Sequence, residues 1–323
     1  MAWVPSFRKI SYLLRPSKQV ERKLILETLH RLADIGYPIR DYRYVGFGSI
    51  FFADFRLLHR YLYIRDMLCV EATASPREML LNRPYEFIDL EFRQYSSVLP
   101  MLDSARPHVV WLDFDNAIDQ ELIDDLVSSI TNLARGSVLI VTVRAQPPRA
   151  RQPYEQRGCH ETRKVAELAR LNRLLRRFGL AETSGAMSRE KYAGLMSKLL
   201  AAAIRGAVLR RPGGNIQFHQ LFNYRYADGD QMYTIGGLLD STYARRRLRK
   251  GGILDLDFVT PRLGAEPREI SVPILTNRER VYLDQHLASL RAKPGTIFGL
   301  DAEGLTNYAW LQRHYPSFTE ELL

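Results

Sequence analysis

The chain has 323 residues, 46% of them hydrophobic, enough to bury the core of one large α/β domain or two modest ones and too many for a disordered polymer. Its formal charge is +10 and 38 of its 46 basic residues are arginine, which favours polyanionic partners such as nucleic acid; an arginine-rich codon composition is the alternative source of the same excess. The longest apolar runs, Val138 to Val143 and Leu199 to Ile204, fall far short of the roughly 18 residues that span a bilayer.

The first residues lack the apolar core and cleavage site of a secretion signal, so a cytoplasmic protein without membrane contact is expected. Cys69 and Cys159, with His160 as a lone neighbour, have neither disulfide nor zinc-ligand spacing. From Lys18 to Leu32 the residues Val20, Leu24, Ile25, Leu29 and Leu32 recur at helical spacing, with Lys18, Glu21, Arg22 and Arg31 read as intervening polar positions of an amphipathic helix. Arg43 to Gly48 then reads as a short strand that runs into glycines and a helix over Ile50 to Leu62.

A second strand, Asp66 to Ala72, ends on Glu71, and Pro76 opens the next helix, closing a βαβ unit. Phe87 to Leu90 is expected as a short third strand and Ser96 to Leu102 as a short helix. His108 to Phe114 reads as a fourth strand terminating in Asp113 and Asp115, followed by a helix over Asp119 to Leu133. Ser137 to Val143 is the clearest buried strand, and five alternations of strand and helix imply a parallel sheet.

Beyond it, Arg144 to Arg157 is polar and rich in proline and arginine, as expected of a loop or lid, and helices follow over Thr162 to Phe178 and Arg189 to Arg205. Gln217 to Tyr226 and Gln231 to Leu239 are β-rich runs on either side of Asp228-Gly229, a hairpin signal. The remainder holds a basic run, Arg245 to Lys250, a helix near Asn277 to Leu290, and an aromatic end around Tyr308, Trp310, Tyr315 and Phe318.

Gly46, Gly48 and Ser49 fall at a strand-to-helix turn, where glycine lets the backbone approach a cofactor and helix amides face the crevice. Glu71 follows at the end of the next strand, where a carboxylate accepts hydrogen bonds from both hydroxyls of a ribose. A tight turn with no ligand and a solvated strand end are the plainer alternatives. Gly46, Glu71, Asp113 and Asp115 share the carboxyl edge of the sheet, where open α/β sheets bind ligands.

These residues resemble the class I S-adenosylmethionine-dependent methyltransferases, and within them a bacterial family named for O-methyl transfer. The resemblance rests on Arg15-Pro-Ser-Lys-Gln-Val-Glu-Arg-Lys23, on Tyr44-Val-Gly-Phe-Gly-Ser49 continuing to Asp54-Phe55 and His59, on Cys69-Val-Glu71, on Ser96 to Leu99, and on Val110-Trp-Leu-Asp-Phe-Asp115. It implies a Rossmann-like methyltransferase sheet, mostly parallel, in which an antiparallel C-terminal hairpin places strand 7 beside strand 5. It further implies S-adenosylmethionine as cofactor, with Gly46, Gly48 and Ser49 at its methionine part, Glu71 at its ribose, Gln94 and Tyr95 at its adenine edge, and Asp113 near the sulfonium. Two departures stand out: Tyr44 occupies the position of an acid common before the first glycine, and Ser49 that of the third glycine.

Methyl transfer to a hydroxyl needs in-line positioning and a base, for which Asp115 is the candidate alongside Asp113; capping of the following helix by Asp115 or Asn116 is the alternative. Two carboxylates are too few to hold Mg²⁺, and no metal is expected. Asn116, Arg144 and Arg149 are the candidate acceptor contacts, an arginine-lined loop suiting an anionic acceptor such as a nucleotide. Arg151, Arg157 and the run Arg245 to Lys250 fit either phosphate binding or a solvated face.

The expected organisation is a helical cap over residues 1–40, a methyltransferase domain over 41–240, and an extension over 241–323 packed on it. The expected activity is methyl transfer to an unidentified, anionic acceptor, with O-methylation favoured. The rival is a catalytically inactive module of the same fold that binds nucleic acid or a protein partner.

Overall fold

The computed structural model describes residues 15–147, 157–184, 187–212, 214–290 and 295–316. Helix α1 (Pro16–Asp34) precedes the alternating series β1 (Arg43–Gly46), α2 (Ala53–Leu62), β2 (Met67–Val70), α3 (Pro76–Asn82), β3 (Ile88–Glu91), α4 (Tyr95–Val98), β4 (His108–Ala117), α5 (Gln120–Asn132) and β5 (Val138–Arg144). Helices α6 (Arg157–Arg177) and α7 (Arg189–Arg210) lead into the hairpin β6 (Ile216–Asp228) and β7 (Asp230–Ser241). After α8 (Ala244–Lys250) come β8 (Arg268–Ile270), α9 (Asn277–Gln285), α10 (Leu287–Leu290) and α11 (Ala302–Leu311).

The strands form one sheet in the order β3-β2-β1-β4-β5-β7-β6-β8. β1 to β5 are parallel, and β7 lies antiparallel between β5 and β6, turning at Gly229, whose φ of 113° suits only glycine. This is the Rossmann-like sheet expected for a methyltransferase, reached because apolar runs buried on both faces need helices above and below them. The C-terminal residues do more than pack on the outside: β8 adds a parallel edge strand beside β6. Its three residues, two of them exposed, carry too little alternation to be read as a strand from sequence.

Each face of the sheet has its own core. Tyr44, Cys69, Trp111 and Ile140 point toward α1 and α2, and the C-terminal segments extend that layer. Val45, Leu68, Val110 and Leu139 point toward α5 and α7. Helix α7 is long and apolar enough to cross a bilayer, yet it is a core helix: Met196, Leu199, Leu200, Ala203 and Ile204 are 0 to 1% exposed in this second layer.

Helix α1 departs from the amphipathic expectation. Lys18, Glu21 and Arg22 are buried on the same side as Val20, Leu24, Ile25 and Leu29. Positions 18, 21, 22, 25 and 29 are spaced by three and four residues, so the charges belong to the core-facing stripe. Each fully buried aliphatic side chain contributes about 1.5–3 kcal/mol, enough to seat the helix against the desolvation of its charged neighbours only because those neighbours are paired.

Candidate active site

The carboxyl ends of β1, β2 and β4 open on one edge, where Glu71 is held by its own loop and Asp113 by a side chain from α1. β1 leaves the sheet at Gly46, which lies between Cys69 of β2 and Trp111 of β4. A Cβ at Gly46 would stand 2.3 Å from the Tyr44 hydroxyl, and one at Gly48 would stand 2.5 Å from Cys69 Sγ. The two glycines are therefore required by this chain's own Tyr44 and Cys69, whatever else the turn holds. Burial pushes the Cys69 thiol well up, with Glu71 adding to the shift, so it remains a neutral core group. Ser49 and Phe52 take left-handed φ values of 42° and 48°, which fold the turn tightly onto α2.

Glu71 stands one residue past β2. Its Oε1 accepts from the Thr73 amide at 3.0 Å, the Thr73 hydroxyl at 2.9 Å and the Ala74 amide at 3.4 Å. Oε2 has no protein partner among the described residues.

Asp113 is matched in kind. Its Oδ1 accepts from Lys18 Nζ at 2.8 Å, while Oδ2 is unpartnered among the described residues and the side chain stays 15% exposed. Each strand-end carboxylate is thus fixed through one oxygen and open at the other.

Lys18 itself is fully buried. Its ammonium also donates to Glu21 Oε2 at 2.8 Å and lies 4.7 Å from the Trp111 ring centroid. Burial alone lowers the lysine pKa, but Asp113 and Glu21 outweigh it and hold the group above its ordinary value. Lys18 is therefore a fixed cation and not a base.

Burial raises Glu21, and the Lys18 ammonium pulls it back. Glu21 also accepts from the Tyr226 hydroxyl at 3.1 Å and from the Thr234 hydroxyl. Because Thr234 gives its only proton to Glu21, Thr142 must donate to Thr234 across 2.8 Å and accept from Trp111 Nε1 at 3.1 Å. Asp113, Thr142 and Thr234 are register neighbours on β4, β5 and β7, so one polar row crosses the sheet beneath α1.

Two further contacts anchor that helix. Arg22 Nε donates to Asp54 of α2 at 2.6 Å, with both groups buried. Asp228, at the hairpin end, accepts the Ser17 and Lys18 amides at 3.0 and 2.8 Å and so caps α1 from 210 residues away.

The remaining sequence candidates differ in placement. Between Asp113 and Ala117 β4 advances four residues while β5 advances two, from Thr142 to Arg144. This bulge breaks the alternation that would aim Asp113 and Asp115 the same way, and leaves Asp115 and Asn116 exposed while Asp113 turns inward. Neither Asp115 nor Asn116 caps α5: Asp119 does, accepting from the Leu122 amide at 3.0 Å.

Gln94 is exposed at the start of α4. Tyr95 turns its ring into the second core, where its hydroxyl meets Ser129 Oγ at 2.9 Å, so an adenine contact from this residue is left to its backbone. Arg144 lies at the end of β5 with Asp230 at 3.7 Å, and Arg149 lies outside the described residues. His59 and His219 are each within 2.9 Å of a backbone carbonyl, those of Ile64 and Ser241. Lys18, Glu21, Arg22, Asp54 and Asp228 are the positions that sequence reasoning missed; charged residues on an apolar helical stripe were the available signal.

Among solved structures, an O-methyltransferase family protein from Burkholderia thailandensis aligns at 11% identity over 68% of this chain and 57% of its own, with a TM-score of 0.31. The N-methyltransferase NodS from Bradyrhizobium japonicum WM9 aligns at 9% identity over 68% of this chain and 98% of its own, with a TM-score of 0.30. A variant of LepI, in complex with SAH and a substrate analogue, aligns at 12% identity over 62% of this chain and 43% of its own, with a TM-score of 0.33. The alignment thus spans less than half of LepI, and likenesses this distant bear on no functional detail. No curated protein matches the sequence. A sequence family described as "Putative O-methyltransferase" matches residues 10–322, and the chain belongs to that family.

Proposed function

We propose that the chain transfers a methyl group from S-adenosylmethionine to an anionic acceptor, with an oxygen as the favoured acceptor atom. The observation that carries the reading is the pair of half-engaged carboxylates, Glu71 and Asp113, flanking the Gly46–Ser49 turn. A ribose diol needs acceptors and a cationic ligand needs negative charge, and this edge presents both from rigid supports. The residues present fit such a cofactor: Glu71 Oε2 to take the ribose hydroxyls, the 46–49 turn to pass its methionine part, and Asp113 Oδ2 to face its positive end.

When bound, S-adenosylmethionine supplies an electrophilic methyl group. Lys18 holds Asp113 in one orientation and shares its charge, so the carboxylate positions a ligand without moving. Asp115, on the exposed bulge, takes the proton of a hydroxyl acceptor. Arg144, beside Asp230, offers the acceptor a cation.

Isothermal titration with S-adenosylmethionine and S-adenosylhomocysteine, repeated on Glu71→Ala, tests the reading. Micromolar binding that the substitution weakens tenfold, about 1.4 kcal/mol, is expected. Absence of binding to both ligands would refute it.

A further inference from the structure

The sheet edge opposite the candidate active site carries a charge arrangement that the methyl-transfer reading does not use. β7 runs from Asp230 at the active edge to Ser241 at the other, and its 12 residues cover roughly 35–40 Å. Helix α8 follows immediately and reads Ala-Arg-Arg-Arg-Leu-Arg-Lys. Ala244 and Leu248 are buried, and all five cations, Arg245, Arg246, Arg247, Arg249 and Lys250, are exposed.

Arg247 is fixed: its Nε donates to the Ile35 carbonyl at 2.6 Å and its guanidinium stacks 4.3 Å from the Tyr37 ring centroid. Tyr37 in turn donates to Asp240 at 2.7 Å, which also holds Arg135, itself 65% exposed. Arg245, Arg246, Arg249 and Lys250 have no ion-pair partner among the described residues. Some arginines elsewhere are paired, Arg176 and Arg177 on α6 with Glu182 and Asp124.

Helix energetics do not account for this run. Arg245 and Arg249, and Arg246 and Lys250, are like charges four residues apart, which repel on one helix face. The helix dipole favours Arg249 and Lys250 at the C-terminal end but disfavours Arg245 and Arg246 in a first turn that has no acid. A local conflict without internal compensation is the mark of a surface shaped by an external counter-charge.

We propose that α8, with Arg135 beside it, is a binding surface for the phosphate backbone of nucleic acid, separate from the methyl-transfer site. Four of the five helix cations are guanidiniums, whose fork matches phosphate oxygens. Tyr243, 83% exposed at the head of the helix, offers a ring for base stacking. The apolar residues of α8 are spent on the protein core, so the helix presents no aliphatic face for insertion into a bilayer. The surface is independent of cofactor binding.

Fluorescence anisotropy with labelled 20-nucleotide RNA and DNA, single-stranded and duplex, at several salt concentrations tests this. The quadruple variant Arg245→Gln/Arg246→Gln/Arg249→Gln/Lys250→Gln is expected to weaken binding at least tenfold at about 50 mM salt and to flatten the salt dependence by roughly two to three counterions. Relief of like-charge repulsion keeps this variant folded, which its thermal melt checks. Glu71→Ala is expected to bind as the parent does, so loss of the cofactor site and loss of this surface are distinguished.

Three results would overturn the proposal: no binding of any oligonucleotide by the parent protein, equal binding by the quadruple variant, or capture by phosphatidylserine vesicles without oligonucleotide binding. A fourth, the same weakening per charge removed by Arg170→Gln/Arg173→Gln on α6, would reduce the effect to net charge and overturn it as well.

Discussion

Lys18 and Asp113 are 95 residues apart in sequence and 2.8 Å apart in the fold, joining α1 to the carboxyl end of β4. Because Lys18 is fully buried and also serves Glu21, the ion pair is first of all a structural one.

Lys18→Met leaves two carboxylates facing a neutral side chain. The expected loss of stability is about 3–5 kcal/mol in urea denaturation. Combined with Asp113→Asn in a double-mutant cycle, the coupling should reach about 1 kcal/mol or more. A coupling near zero would mean that the two groups do not interact.

Tyr95→Phe separates a core role from a cofactor role. Loss of the bond to Ser129 should cost about 0.5–1.5 kcal/mol of stability. S-adenosylhomocysteine affinity, measured by titration, should be unchanged; a tenfold drop would put the phenol in the cofactor site.

Asp115 and Asp119, four residues apart, should fail in different ways. Asp119→Ala removes the α5 cap and should cost about 1 kcal/mol in chemical denaturation. Asp115→Asn, on the exposed bulge, should stay within about 0.5 kcal/mol of the parent and retain cofactor affinity. Its turnover on an identified acceptor should fall roughly 10²–10⁴-fold, and unaffected turnover would exclude it as the base.

Asp125, buried on α5, has its carboxyl pushed up to about 6 by burial and then by Glu121, Asp124 and Asp119. A folded pKa above the unfolded one means that the stabilising contribution is complete below about pH 4 and is lost as pH rises through 6. Asp125→Asn should therefore stabilise the protein at pH 7–8, on the order of 1 kcal/mol after allowance for solvent screening, and flatten the pH dependence between about 4 and 6. Equal melting curves for variant and parent at pH 8 would count against it.

Local signals were legible in the sequence. The buried run of β5 and the Asp228-Gly229 turn declare themselves within a few residues, while the antiparallel strand beside β5 was implied by the family resemblance and not by any local pattern. Glu71 and Asp113 are legible because strand ends follow from apolar run lengths. Lys18, Glu21 and Arg22 were not, since a charged residue reads as solvated until its partner is known, and Glu21 meets Thr234 from 213 positions away. The β4 bulge likewise depends on the register of β5, which no local pattern in β4 encodes.

The cap that Asp228 places on α1 has a consequence for biosynthesis. During translation, at about 5–20 residues per second, the ribosome needs roughly 10–40 s to reach Asp228 after Ser17 emerges, since 211 positions separate them. Throughout that interval α1 lacks its capping carboxylate, and for the first 95 positions it lacks Asp113 as well, so a helix made early is among the last to settle. Nascent chains stalled before the hairpin should expose α1 to proteases and chaperones, and release from that state marks formation of the β6–β7 hairpin, with β8 still to be added.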